Sequence, residues 1–168
     1  MLENTLTNIV KQPCTLENCI VTPYRTYKPN ENISITASTS SSTYKERYDS
    51  VLLKEDAGLD FIWGRVTQIF TVKWESKLYT MAILQKYKFV DDTNPLDCQV
   101  GVPYVKLESE LNSCSPFAIV PVEMIQQRVQ AIEDFRPEQR ANNNYWINWW
   151  ITFGKGSYPH QYRWKQTQ

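Results

Sequence analysis

The sequence holds five glycines and a single histidine, His160, in 168 residues. That scarcity argues against a Gly-rich phosphate loop and a multi-histidine metal site, and neither a P-loop nor a dinucleotide fingerprint occurs. Charge of one sign is missing too, with 18 Lys plus Arg against 18 Asp plus Glu. Whole-molecule attraction to nucleic acid is excluded, whereas a local basic patch is not. No run approaches the roughly 18 apolar residues that span a bilayer. The start, Met1-Leu2-Glu3-Asn4-Thr5, lacks the basic-then-apolar order of a secretory signal. These features predict a soluble, intracellular chain with no membrane partner. Asn32-Ile33-Ser34 has the form of a glycosylation sequon, which without a signal peptide reads as chance.

Catalytic chemistry is equally thin. Cys14, Cys19, Cys98 and Cys114 form no C-x-x-C pair and read as free thiols rather than zinc ligands. Nucleophilic catalysis needs a base beside a Ser or Cys, and His160 stands in a tail flanked by glycine and proline. The carboxylate groups Asp91, Asp92 and Asp97, and Glu108 and Glu110, sit among loop-like residues and read as solvated. A transposase-type nuclease would need three carboxylates on an α/β core whose helices are not evident. The expectation is a non-enzymatic chain with no metal and no cofactor.

What the sequence has in quantity is aromatic residues, 13% of the chain with six Trp and ten Tyr, spread over β-prone segments. Residues 1–56 are polar and charge-mixed, with period-two alternation in Asn32–Thr36 and a candidate strand over Tyr48–Lys54, Val51 and Leu53 on one face. Phe61–Val72 and Leu78–Val90 read as two long strands joined by Glu75-Ser76-Lys77, an antiparallel hairpin. Gly64 inside the first strand marks a bulge or a bend. Val100–Leu107 and Phe117–Val122 are shorter β-runs, confined to edges, bends or strand starts by Pro103 and Pro121. The apolar positions 122, 125, 129 and 132 fit a helix at spacings of three and four. They also fit one helical turn near Met124 followed by a strand from Arg128. Tyr145–Phe153 is β-prone. The fold class expected is mainly β: a small twisted antiparallel barrel or sandwich with one or two short helices and irregular terminal extensions. The parts are residues 1–57 as an N-terminal extension packed on the core, 58–138 as the β-domain, and 139–168 as an aromatic strand and basic tail.

Three blocks carry a family resemblance: Trp63-Gly64-Arg65-Val66-Thr67-Gln68-Ile69-Phe70; Tyr79-Thr80-Met81-Ala82-Ile83-Leu84-Gln85-Lys86-Tyr87; and Phe117-Ala118-Ile119-Val120-Pro121-Val122-Glu123-Met124-Ile125 followed by Arg128-Val129-Gln130-Ala131-Ile132. In this order they resemble a BAH-type (bromo-adjacent homology) β-domain of the divergent kind found in fungal transposon-derived proteins. The resemblance covers roughly residues 58–135. It implies a non-enzymatic recognition domain in a nuclear, transposon-related protein, and it implies no catalytic residue.

Two sets of residues are candidates for binding. Methyl-lysine readers hold a cation between aromatic rings, and Trp63, Trp74, Tyr79, Tyr87 and Phe89 lie on the hairpin. Tyr87 and Phe89 share a strand face, and Tyr79 shares it if no bulge intervenes. Ordinary core packing and cross-strand pairing account for the same rings. The second set is in the tail. Residues 139–168 contain no acid, and Lys155, Tyr158, Tyr162, Arg163, Trp164 and Lys165 interleave cations with rings in the manner of a single-strand stacking surface. A protein or histone-like peptide is the first partner expected, through a groove beside the hairpin. Nucleic acid held by the tail is the alternative.

Overall fold

The computed structural model describes residues 2–10, 17, 19–28, 34–38, 47–54, 59, 61–90, 103–109, 115–135 and 144–148. The chain is mainly β. One α-helix, α1 (Leu2–Val10), precedes β1 (Cys19–Tyr24), β2 (Thr26–Tyr27), β3 (Ile35–Ser38), β4 (Arg47–Tyr48) and β5 (Ser50–Leu53). The long strands β6 (Trp63–Trp74) and β7 (Lys77–Phe89) follow, then β8 (Tyr104–Leu107), β9 (Phe117–Pro121), β10 (Ile125–Glu133) and β11 (Asn144–Asn148).

β6 and β7 pair antiparallel from Gly64↔Lys86 to Trp74↔Lys77, as the two β-runs predict. The tight turn between them places Glu75 at φ 53°, a left-handed conformation that costs a residue with a Cβ about 1–2 kcal/mol. One end of this hairpin belongs to a closed ring of six antiparallel strands, β5-β6-β7-β8-β11-β10 and back to β5. The other end leaves the ring and is flanked by β1 on the β6 side and β9 on the β7 side. The barrel therefore draws β5 from residues 1–57 and β11 from residues 139–168, and is not confined to the middle segment.

The exit from the ring is made by a register shift in β6 between Val66 and Gln68. The Thr67 hydroxyl fastens this bulge by donating to the Ile83 carbonyl at 3.1 Å. One extra residue inverts the inside–outside parity of a strand. Val66 before the bulge and Ile69 after it thus lie in one cluster, and Phe70, Val72 and Trp74 turn to the opposite face. Gly64 has another role. Its β-carbon would stand 2.9 Å from Leu84 Cβ, so glycine permits close approach of β6 and β7. The bend assigned to Gly64 from sequence falls three residues later, at Thr67.

Three apolar clusters hold the fold. Leu52, Trp63, Tyr87, Val105, Val129, Tyr145 and Ile147 come from all six ring strands and fill the barrel interior. On the outside of β5, β6 and β7, Val51, Leu53, Val66, Ala82 and Leu84 meet Ile35 and Ala37 of β3, which pairs with β2 and β4 as a small second sheet. At the open end of the hairpin, Phe70, Val72, Trp74 and Met81 are covered by Leu6 of α1. Leu6 is fully buried and Leu2, one helical turn away, is partly buried against the same cluster. That spacing, not seen in the polar N-terminal composition, is why the segment is helical.

Residues 122–133 resolve in favour of the second sequence reading, with the strand beginning earlier than expected. Val122–Met124 is one turn of 3-10 helix, and β10 starts at Ile125. The helix-like spacing arises because a register shift between Ile125 and Gln127 sends Ile125 to the outer cluster and Val129 to the barrel interior. Pro103 immediately precedes β8 and Pro121 ends β9, positions where a missing N–H costs the sheet least.

Candidate functional site

The five hairpin rings divide between two places. β7 runs without a register break, so Tyr79, Tyr87 and Phe89 do share a face. Eight residues nevertheless separate Tyr79 from Tyr87, about 27 Å along a strand. Tyr79 and Trp74 belong to the cluster under α1, whereas Trp63, Tyr87 and Phe89 belong to the barrel interior. Trp63 and Trp74, an odd and an even position, reach the same face only because of the bulge at Thr67.

Inside the barrel the rings pack edge to face: Trp63 against Phe89 with centroids 5.5 Å apart, and Tyr87 against Tyr145 at 5.7 Å. Trp63 and Tyr87 are buried. The cation among these rings is the chain's own. Arg65, two residues after Trp63 and on its face, puts its guanidinium carbon 4.8 Å from the centroid of the Tyr145 ring. Ser50 and Tyr87 share a buried hydroxyl–hydroxyl hydrogen bond of 3.0 Å. Burial penalises the Arg65 charge, yet the two tyrosines facing it more than compensate, and its pKa is raised. Among the described residues Arg65 forms no ion pair with a carboxylate. An arginine held by cation–π attraction and phenolic oxygens is what lets a polar group occupy so small an interior. Arg65, Ser50 and Tyr145 escaped the sequence reading. The available signal was an arginine at an inward position of a strand otherwise read as apolar.

Two surfaces remain open. The first is β1, where five of six residues are exposed. Ile20 is 64%, Val21 48% and Tyr24 43% exposed, and Leu78 at the hairpin tip is 64% exposed. Ile20, Lys73 and Leu78 stand side by side across β1, β6 and β7. Among the described residues no strand pairs with the outer edge of β1. Pro23 has no N–H to give β6, so it must occupy a position whose backbone faces away from that strand. Alternation then turns the N–H groups of Cys19 and Val21 toward the free edge as well.

The second surface is the outside of β8, β10 and β11. Tyr104 and Trp146 are cross-strand partners there, with ring centroids 4.3 Å apart and planes tilted by 31°. The Tyr104 hydroxyl is pinned, donating to Asp134 Oδ2 at 2.6 Å and accepting from Asn144 Nδ2 at 2.9 Å. Lys88 and Lys106 face each other directly across β7 and β8.

The tail candidates Lys155, Tyr158, Tyr162, Arg163, Trp164 and Lys165 lie outside the described residues, as do His160, Cys14, Cys98, Cys114, Asp91, Asp92, Asp97 and Glu110. Cys19 is half-buried beside the α1 cluster. Among the described residues no group of three His, Cys, Asp or Glu is placed to hold a metal, and no helix is long and apolar enough to cross a membrane. No protein family, curated protein or solved structure matches the chain.

Proposed function

We propose that the chain is a non-enzymatic recognition module that takes an extended peptide of a partner protein along the free edge of β1. The observation that carries this reading is the crowding of exposed apolar residues there. Of the seven large apolar side chains exposed among the described residues, Ile20, Val21, Tyr24 and Leu78 are gathered at β1 and the adjoining hairpin tip. An edge strand with exposed apolar groups and outward backbone donors is a template for strand addition. Main-chain hydrogen bonds supply affinity and alternate side chains supply selectivity. Lys73, Lys77 and Arg25 are exposed around the edge against Glu17 and Glu75, and Lys73 stands beside Ile20, so the excess of cations favours a peptide that alternates apolar with acidic residues. This reading agrees with what the BAH-type resemblance implies, a recognition domain in a nuclear, transposon-related protein. A histone-like ligand is its competing form.

The test is fluorescence anisotropy with two labelled peptides, one alternating valine with glutamate and one basic and trimethylated on lysine. The first should bind the full chain, and Val21→Pro should abolish binding while leaving circular dichroism unchanged, since Val21 donates outward. Binding of the methyl-lysine peptide alone would replace the edge with an aromatic site. Binding of neither sinks the proposal.

A further inference from the structure

We infer that the outer face of β8 and β11, with the adjoining end of β7, is a second binding site whose ligand is single-stranded nucleic acid. The site lies on the barrel wall and is independent of the β1 edge. Lys88 and Lys106 are directly opposed across β7 and β8. Like charges in that position destabilise a sheet, and neither has a carboxylate partner among the described residues. A phosphate placed between them removes that repulsion. Lys106 is also the partner of Asn144, and two residues along the strands, about 7 Å away, Tyr104 pairs with Trp146. Both rings are half-exposed on the same face, and Ile132 of β10, 38% exposed, stands beside Trp146.

The outward strand positions beside the rings carry cations and amides. Along β8 and β11 the outward positions are Tyr104, Lys106, Asn144, Trp146 and Asn148, with no acid among them. Asp134 is buried and engaged by the Tyr104 hydroxyl, and Glu108 follows β8 two residues beyond Lys106, where its N–H donates to the Lys86 carbonyl. Stacking rings beside unpaired cations on a barrel wall provide the two elements of sequence-tolerant single-strand binding, a π-platform for bases and positive charge for the backbone. A duplex fits less well because its bases are already stacked on one another. The acid-free sequence that follows β11 adds further cations beyond the described residues, and the test separates its contribution.

The experiment is a salt series of fluorescence anisotropy on the full chain with a labelled oligothymidylate, its duplex with oligoadenylate, and polyglutamate as competitor. The single strand should bind at low salt and outcompete both. The paired change Lys88→Gln with Lys106→Gln should weaken binding and flatten the plot of log affinity against log salt by about 0.7 for each phosphate that is no longer neutralised. Trp146→Ala should weaken binding on the order of tenfold to a hundredfold, and Trp146→Phe should restore most of it. The lysine variant leaves the barrel core untouched, so it remains informative if Trp146→Ala does not fold. Equal affinity for duplex, equal competition by polyglutamate, or an unchanged salt slope in the lysine variant each overturns the inference. So does loss of binding on Arg163→Gln with Lys165→Gln while the Lys88 and Lys106 change has no effect, which would place the site in the tail.

Discussion

At its open end the β6–β7 hairpin buries Phe70, Val72, Trp74 and Met81 beneath one helix. At its other end the same face, carrying Trp63, Arg65, Tyr87 and Phe89, is enclosed by a ring of strands. The two ends solve one problem differently. In the ring every strand has a neighbour on both sides, so the interior is sealed by backbone pairing and can accommodate a guanidinium and two phenols. Outside the ring no described strand pairs with the outer edge of β1, and the apolar face of the sheet depends on α1, a nine-residue helix. A helix of that length is marginal by itself. The barrel end is therefore expected to be the more stable frame, and the open end the part that opens first.

The largest test of this difference removes one anchor from each end. Trp63→Ala should cost about 3–5 kcal/mol and lower the urea midpoint of the whole chain. Leu6→Ala removes a fully buried side chain as well, but its effect should be local. Hydrogen exchange should accelerate in α1, β1 and the distal half of the hairpin while the amides of β10 and β11 keep their protection. A uniform loss of protection in both variants would show that the two ends are a single cooperative unit.

A smaller effect is expected inside the ring, at a residue three positions before its exit at Thr67. Gly64→Val places branched carbon against Leu84, whose Cβ would lie only 2.9 Å from even a single methyl added at Gly64. Overpacking of this kind costs about 1–3 kcal/mol. The cost should shrink in a Leu84→Gly background, which removes that Cβ, a coupling that a double-mutant cycle reads directly. An identical cost in both backgrounds would dismiss the close approach as the reason for glycine.

The hairpin, the mainly β class and the turn at Glu75-Ser76 were legible because alternation and turn chemistry are local signals. A barrel or sandwich was expected too, but the strands that close the ring were not legible. Closure depends on β5 and β11, four and five residues long and far apart in sequence, whose pairing with β10 is written only in long-range complementarity. The bulge at Thr67 was half legible: a break was anticipated in the right strand but assigned to Gly64, since a glycine is visible in a sequence and a register shift is not. α1 was missed because its apolar content amounts to one stripe in a polar stretch. For the candidate sites, Trp63, Tyr87 and Phe89 were correctly placed on one hairpin, yet the cation among them, Arg65, was overlooked. Lys88 opposite Lys106 and Tyr104 beside Trp146 depend on pairings through β8 and β11, which no sequence window contains.

The smallest effect concerns one proton inside the ring. Burial raises the pKa of the Tyr87 phenol, while the Arg65 guanidinium and the Ser50 hydroxyl pull it down. Below about pH 10, the ordinary value for a tyrosine, the phenol is protonated in the folded and unfolded chain alike, and its contribution to stability is fully present. Above that pH the unfolded chain releases the proton first. The unfolded state then binds fewer protons than the folded one, and stability falls as pH rises until the folded-state value is passed. Denaturant midpoints measured across this range should therefore decline more steeply for the wild type than for Tyr87→Phe. Arg65→Met removes the nearby cation and should move the Tyr87 titration higher still, which the difference in tyrosinate absorbance between otherwise identical proteins with and without Tyr87 would register. A Tyr87 that titrates at the ordinary phenol value, or that ignores the loss of Arg65, would mean that the ring interior admits water and that the two ends of the hairpin differ less than their geometry implies.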